Sequence, residues 1–319
     1  MKLNRFARFT WGFLAYNLLV ILWGAYVRAT GSGAGCGAHW PLCNGQVIPQ
    51  TAQVATMVEF IHRLMSGLTL LGSFLLVVWA WRAYPRKHPI RLTAGLSLLF
   101  TLTEALVGAG LVLLELVANN ASATRAASVA VHLVNTLLLL GAITWTAWLA
   151  SGGKVPHWLG HERTGLWFSV ALVAVIILSA SGAITALGDT LFPSGSVAEG
   201  LAQDISPTAH FLIRLRVYHP VIAILTGAYL VVTILLKGFG KVSPSIRQIS
   251  KLVLGLFVVQ IAFGVSNVLL LAPMWLQMVH LFVSDLVWIS LVCLTLMQLG
   301  EPSLNRQPAA KSISRAETS

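Results

Sequence analysis

Charge is scarce in this chain. Only 10% of its 319 residues are Asp, Glu, Lys or Arg, against 56% hydrophobic residues and a mean hydropathy of +0.80. That shortage excludes a soluble domain with a large core, which carries about a quarter of its residues charged, and leaves an integral membrane protein. Acidic residues are the scarcer sign, 10 against 21 basic ones, for a net charge of +11. The excess does not describe a nucleic-acid binder, because the basic residues sit in short clusters between apolar runs and not along one stripe; such clusters report which loops stay in the cytoplasm. No P-loop, Rossmann glycine pattern or nucleophile elbow occurs where a strand could support it, so the chemistries those motifs mark have no anchor here. Cysteine is almost missing: Cys36 and Cys43 share one loop and Cys293 stands alone.

What is present is a succession of apolar runs. They cover roughly 11–27, 62–81, 92–116, 127–149, 166–188, 211–236, 251–271 and 277–298, each near the ~20 residues a helix needs to cross hydrocarbon. The start, with Lys2, Arg5 and Arg8 before an apolar run, imitates a signal peptide, but the run continues to Val27 and the small residues after it belong to a Gly-rich loop, so a first span is expected. Segments carrying Arg82, Arg86, Lys87 and Arg91, then Lys154 and Arg163, then Lys237, Lys241, Arg247 and Lys251 are basic, as are both tails. The alternate loops are nearly free of Lys and Arg, with Arg28, Arg63, Arg125, Arg214 and Arg216 close to helix ends. The positive-inside rule then predicts a multi-pass protein of the cell membrane with both termini cytoplasmic and the loops near 28–61, 117–126, 189–210 and 272–276 outside. Trp79, Trp81, Trp145, Trp148 and Trp167 fall at the inner interfaces of this arrangement, where an amphipathic ring belongs.

The two halves resemble one another. Leu22-Trp23-Gly24-Ala25 is answered by Ala180-Ser181-Gly182-Ala183, Glu104-x-x-x-Gly108 by Gln260-x-x-x-Gly264, and His62 and His132 by His219 and His280. The fold expected is an all-α membrane protein of eight transmembrane helices, arranged as two pseudo-repeated four-helix bundles of the same orientation. The division falls in the linker near 151–163, giving an N-terminal half over 1–155 with the cysteine loop and a C-terminal half over 156–319.

Nine histidines sort by location. His88, His157 and His161 lie in inner basic loops as solvated surface residues, and His39 and His210 lie in outer segments. His62, His132, His219 and His280 each stand near the outer end of an even-numbered span. A single intramembrane histidine is more often a hydrogen-bonded packing residue than a ligand. Four in register point instead to haem, since two helices offering an imidazole at one depth can fill both axial positions of an iron. The prediction is one bis-histidine site per half, His62 with His132 and His219 with His280, with Ser66, Gly67, Ala223 and Gly227 leaving room for a flat macrocycle. Glu59 stands one helical turn before His62 and beside Arg63 at the mouth of the second span, and ionisable groups there mark function by default. Cys36 and Cys43, in an outward loop, read as a disulfide; a zinc site using His39 is the competing reading, without an evident fourth ligand. Cys293, mid-span, reads as a small buried hydrophobe.

Thr30-Gly31-Ser32-Gly33-Ala34-Gly35-Cys36, Trp40-Pro41-Leu42-Cys43 and Glu59-x-x-His62-Arg63 resemble the first-half motifs of the heme A synthase family, and the eight spans and four histidines extend the likeness over nearly the whole chain. The resemblance implies an enzyme that oxidises the methyl group of haem O at ring position 8 to a formyl group, making haem A for terminal oxidases. It implies that His62 and His132 hold the substrate haem, that His219 and His280 hold a resident haem b, that Glu59 is catalytic, and that Cys36 and Cys43 are redox-sensitive. Its partners would be haem O delivered by a haem O synthase, membrane lipid and an unidentified electron partner, with no nucleic acid and with a homo-oligomer left open. A partly desolvated Glu59 would then relay protons during two oxidations of the methyl that end in loss of water. The second half departs from the family. Pro220 follows His219 where many members carry Arg, which predicts a kink there. Asp189-Thr190-Leu191-Phe192-Pro193-Ser194 replaces a second cysteine pair, and Arg216 stands where Glu59 would repeat, suited to a haem propionate. The alternatives are a bis-histidine membrane cytochrome b that carries electrons, or a haem transporter or chaperone; the one-sided Glu59 and cysteine loop argue against a symmetrical carrier.

Overall fold

The computed structural model describes residues 3–50, 53–240 and 242–301, so Lys2 and Lys241 of the basic clusters lie outside the described residues. All its elements are helical: α1 (Arg5–Ala29), α2 (Val54–Ala83), α3 (Pro89–Leu113), α4 (Ala123–Ala150), α5 (Glu162–Leu191), α6 (Val197–Ile205), α7 (Phe211–Leu215), α8 (Tyr218–Gly238), α9 (Pro244–Leu269) and α10 (Met274–Gly300), with one 3₁₀ turn at Ser32–Ala34. Eight helical segments are long and apolar enough to cross a membrane, α7 and α8 together forming the sixth. The multi-pass reading therefore stands, and an even number of spans returns the chain to the side on which it began.

Local chemistry sets the ends. Asn4, Ser122 and Ser243 accept the backbone N–H of Ala7, Arg125 and Ile246, and Pro89 and Pro244 open α3 and α9, where a missing N–H loses no helical bond. The helices outrun the apolar runs: α2 begins at Val54, so Glu59, His62 and Arg63 lie in its second and third turns and not at its mouth. The sixth span breaks at Arg216-Val217, as Pro220 predicts. Proline has no N–H to offer the Arg216 carbonyl, and the N–H of His219 reaches it instead at 3.2 Å.

Helix α1 packs on α2 and α4, and α3 packs on α2 and α4; in the same way α5 packs on α8 and α10, and α9 on α8 and α10. The two sets meet through α4 on α5, α1 on α10 and α4 on α10. The main buried core, with Phe6, Leu76, Ile90, Leu140, Phe168, Ile234, Val253 and Leu291, lies toward the end that holds the chain's start. Trp79 packs edge-on against Phe6 and Trp167 stacks on Tyr229 at that end, while the Arg91 guanidinium sits over the Trp81 ring. Toward the other end, which carries the cysteine loop, the second cluster comprises only Ala126, Leu187 and Leu212 with their neighbours. All four singled-out histidines belong to this less tightly filled end, and each is only half-buried.

Candidate functional site

Each of the four imidazoles lies over a glycine of a neighbouring helix. A Cβ on Gly24 (α1) would come 2.8 Å from His62 Cε1, one on Gly182 (α5) 3.0 Å from His219 Cε1, one on Gly264 (α9) 3.3 Å from His280 Cε1, and one on Gly108 (α3) 3.8 Å from His132 Cε1. These are the glycines of the internal likeness, and their use is now visible: close approach of a ring to backbone, which a side chain at Gly24 or Gly182 would disturb by displacing the imidazole. His62 and His132 are within electrostatic reach of one another, as are His280 and His219. Their helices, α2 with α4 and α8 with α10, stand diagonally in each set of four, so each pair faces across the interior of its own set. The Nδ1 atoms of His62, His132 and His280 are buried without a hydrogen bond. His219 Nδ1 pairs with Ser181 Oγ at 2.9 Å. Ser181 and the four glycines were all in the repeated tetrads and pentads, but nothing in sequence says which histidine each one meets.

Two further side chains touch the histidines. Glu104 Oε1 stands 3.3 Å from His132 Nδ1, off the line of a hydrogen bond, and Gln260 Nε2 stands 3.3 Å from His280 Nε2. The other expected neighbours differ in use. A Cβ at Gly67 would meet open space, whereas Gly227 is filled by Phe257, whose Cε1 would lie 2.6 Å away; Gly227 serves the α8–α9 contact and not a ligand. Ser66 Oγ bonds to its own helix at the His62 carbonyl.

The cysteine loop is tied to one stripe of α2. Thr56 Oγ1 donates to the Gly35 carbonyl at 2.7 Å, the Cys36 N–H donates to Glu59 Oε2 at 2.8 Å, and Arg63 Nη1 donates to the carbonyls of His39 at 2.7 Å and Leu42 at 2.6 Å. The spacing of 56, 59 and 63 is that of one helix face. Arg63 also grips Glu59, with Nη2 at 2.6 Å from Oε1, and Glu59 is only 3% exposed. Gly35 is required where the loop meets the helix, because a Cβ there would run into the backbone of Ala55, and Gly37 turns the chain at φ 64°. Cys36 and Cys43 form a disulfide. That bond takes both thiolates from the competing zinc reading, and His39 enters the loop's bonding through its carbonyl.

The chain matches the COX15-CtaA family, described as cytochrome oxidase assembly protein, over residues 7–292. It belongs to that family, the heme A synthase family. Heme A synthase of Lysinibacillus sphaericus is 41% identical over 96 residues, 30% of this chain and 31% of that protein. Heme A synthase of Exiguobacterium is 29% identical over 182 residues, 56% of this chain and 58% of that protein. A protein of Thermus thermophilus named protoheme IX farnesyltransferase is 49% identical over 291 residues, 91% of this chain but 48% of its own length. The chain thus spans about half the length of the curated relatives it matches over most of its residues.

This member's departures from the family have structural consequences at the cysteine-loop end. Arg216 is held by two aspartates: Nη1 pairs with Asp189 Oδ1 at 2.9 Å and Nε with Asp204 Oδ1 at 3.0 Å, which ties α5, α6 and the α7–α8 break together. Asp189 begins the segment that stands where other members carry cysteines. His210 caps α7, accepting the Leu212 N–H, and stacks on Phe192. Arg28 reaches from α1 to the Ala186 carbonyl and Thr190 Oγ1 at 2.8 Å each and to Gln277, joining the two sets of helices.

Alkylation tests the loop directly. Cys36 and Cys43 are expected to resist labelling in the untreated full-length protein and to label after reduction, while Cys293, half-buried in α10, stays slow in both states. Ready labelling of Cys36 and Cys43 in aerobically isolated protein without reductant would overturn the disulfide.

Proposed function

We propose that this protein is a heme A synthase, which oxidises the C8 methyl group of haem O to a formyl group. The observation that carries the reading is the fourfold arrangement of an imidazole over a helix glycine, in two facing pairs. That arrangement fits haem: imidazoles suit iron, the glycines let each ring pack close against a neighbouring helix, and the paired histidines face one another at the less tightly filled end. His62 and His132 would hold the substrate haem O, and His219 and His280 a resident haem b, which supplies one-electron chemistry when bound. The contacts within each set of four helices support reading 1–155 and 156–319 as pseudo-repeated bundles, the first for substrate and the second for cofactor.

The protein's own groups bind, orient and move protons. Glu59 would take up protons released as the methyl is oxidised: Oε1 accepts from Arg63 Nε and Nη2, while Oε2 accepts the Cys36 N–H and keeps a lone pair for the proton. Arg63 and the Cys36 N–H would restore it to the ionised form. Through the same two contacts the state of the Cys36–Cys43 bond would be felt at Glu59, which gives the cysteine pair a route to redox sensitivity. Location in the cell membrane with both termini cytoplasmic is supported by the charges: Arg82, Arg86, Lys87 and Arg91 gather at the end opposite the cysteine loop. At the loop end Arg28, Arg63, Arg125 and Arg216 are tied to protein acceptors, while Arg214 in α7 is exposed.

The farnesyltransferase named for the Thermus relative is assigned in this proposal to the half of that protein which this chain does not match. Displacing a diphosphate calls for clustered carboxylates that hold magnesium, and among the described residues no three His, Cys, Asp or Glu side chains come together to hold a metal ion. Farnesylation of protohaem yields haem O, so the relative's name supports a haem O synthase as the source of substrate. Expression of this chain in cells supplied with haem O, followed by haem extraction and mass analysis, tests the reading. Haem A is the expected product; two bound haems with no haem A after turnover conditions would instead support an electron carrier.

A further inference from the structure

The two halves treat their second histidine differently. In the first, Glu104 lies one helical turn before Gly108, the glycine under His132, so both face the same ring. Its carboxylate is anchored: Asn135 Nδ2 donates to Oε2 at 2.5 Å and Thr136 Oγ1 to Oε1 at 2.5 Å. Asn135 is held in turn by Thr103 Oγ1 at 2.6 Å and by the Phe100 carbonyl at 2.8 Å. Oε1 keeps a lone pair, and His132 Nδ1 is 3.3 Å from it. In the second half the corresponding Gln260 has an orphaned Oε1 and touches Nε2 of His280, while the residues three and four after His280 are Val283 and Ser284, in place of Asn135 and Thr136. Nothing among the described contacts holds that amide as the first half holds its carboxylate.

We propose that Glu104 is a positioning residue for His132, accepting its Nδ1–H and so directing Nε2 toward the iron of the substrate haem. The inference rests on the reading of His62 and His132 as that haem's ligands. The anchor explains why Asn135, Thr136 and Thr103 surround an acidic group inside an apolar helix pair: they fix the carboxylate's rotamer, and a fixed carboxylate fixes the ring's tautomer and plane. A short rotation of the ring brings Nδ1–H onto the Oε1 lone pair. An anionic acceptor at Nδ1 also makes the imidazole a stronger donor than one whose Nδ1 has no hydrogen bond, as in His280, which favours the ferric over the ferrous iron at this site relative to the site of His280.

The test uses the full-length protein loaded with ferric protohaem and follows both haems by spectroelectrochemical titration and by ferric low-spin resonance spectra. Glu104→Gln, which preserves size and can still accept through its carbonyl, should raise the midpoint potential of one haem and leave the other in place. Glu104→Leu should weaken retention of that same haem on the order of 10–100-fold, as loss of an outer partner of a metal-binding histidine does. Gln260→Leu should leave the first-half haem untouched. If His132→Leu removes one haem but Glu104→Gln shifts neither potential, the positioning role falls while the ligand reading stands. If His132→Leu leaves both haems bound, the ligand reading falls and this inference with it.

Discussion

Replacing His280 with leucine is expected to strip the resident haem b from the purified protein and to stop haem A formation, with the substrate-site spectrum surviving. In the proposed function His219 and His280 would hold this haem together, and His219, half-buried beside Ser181, would then be left to hold it alone. His62→Leu should give the complementary result: no turnover, but the bands of haem b retained, because the two pairs lie in separate sets of helices. Gly182→Leu should reproduce the loss of haem b without touching a ligand atom. A Cβ there already meets His219 Cε1 at 3.0 Å, and the added side chain would push the ring from its place. Gly67→Ala provides the control, since its Cβ would meet nothing and haem content should not change. Visible spectra and extracted haem per polypeptide measure all four. Equal loss of both haems from His62→Leu and His280→Leu would end the assignment of separate roles to the halves.

Glu59→Gln should abolish haem A formation with both haem sites still filled. The amide keeps the size of the carboxylate but cannot take up a proton. It also leaves Arg63, 13% exposed, facing a neutral group, and breaking a buried ion pair from one side costs on the order of 3–5 kcal/mol. Activity loss and destabilisation are therefore separable only with a second variant. Glu59→Gln combined with Arg63→Met removes both charges but also the donor to the His39 and Leu42 carbonyls, so stability should recover in part while haem A formation does not. Thermal unfolding, thiol labelling and haem analysis on the same preparations decide the matter. Should haem A return in the double variant, no proton-accepting group is needed at position 59, and the proton role of Glu59 must be abandoned.

The order of residues alone was enough for the eight membrane-crossing helices and for the division of the histidines into four at matching places in the spans and five elsewhere. These are local properties. A run of apolar residues long enough to span hydrocarbon has one way to satisfy its backbone. Even there the ends were misjudged, because the polar first turns of α2 are helical though not apolar. The Cys36–Cys43 disulfide was legible as the favoured reading, with a zinc site using His39 beside it until the structure joined the two sulfurs. The break before His219 was also legible, since proline removes a donor at a known position. Helix packing alone set which group meets which: glycine under each imidazole, Glu104 against His132, Glu59 between Arg63 and the Cys36 N–H, Arg216 between Asp189 and Asp204. Helical spacing reports which residues share a face of one helix, not what lies opposite that face. The partner of a buried charge in this protein sits on another helix or in a loop far along the chain, and it is set by how the helices pack.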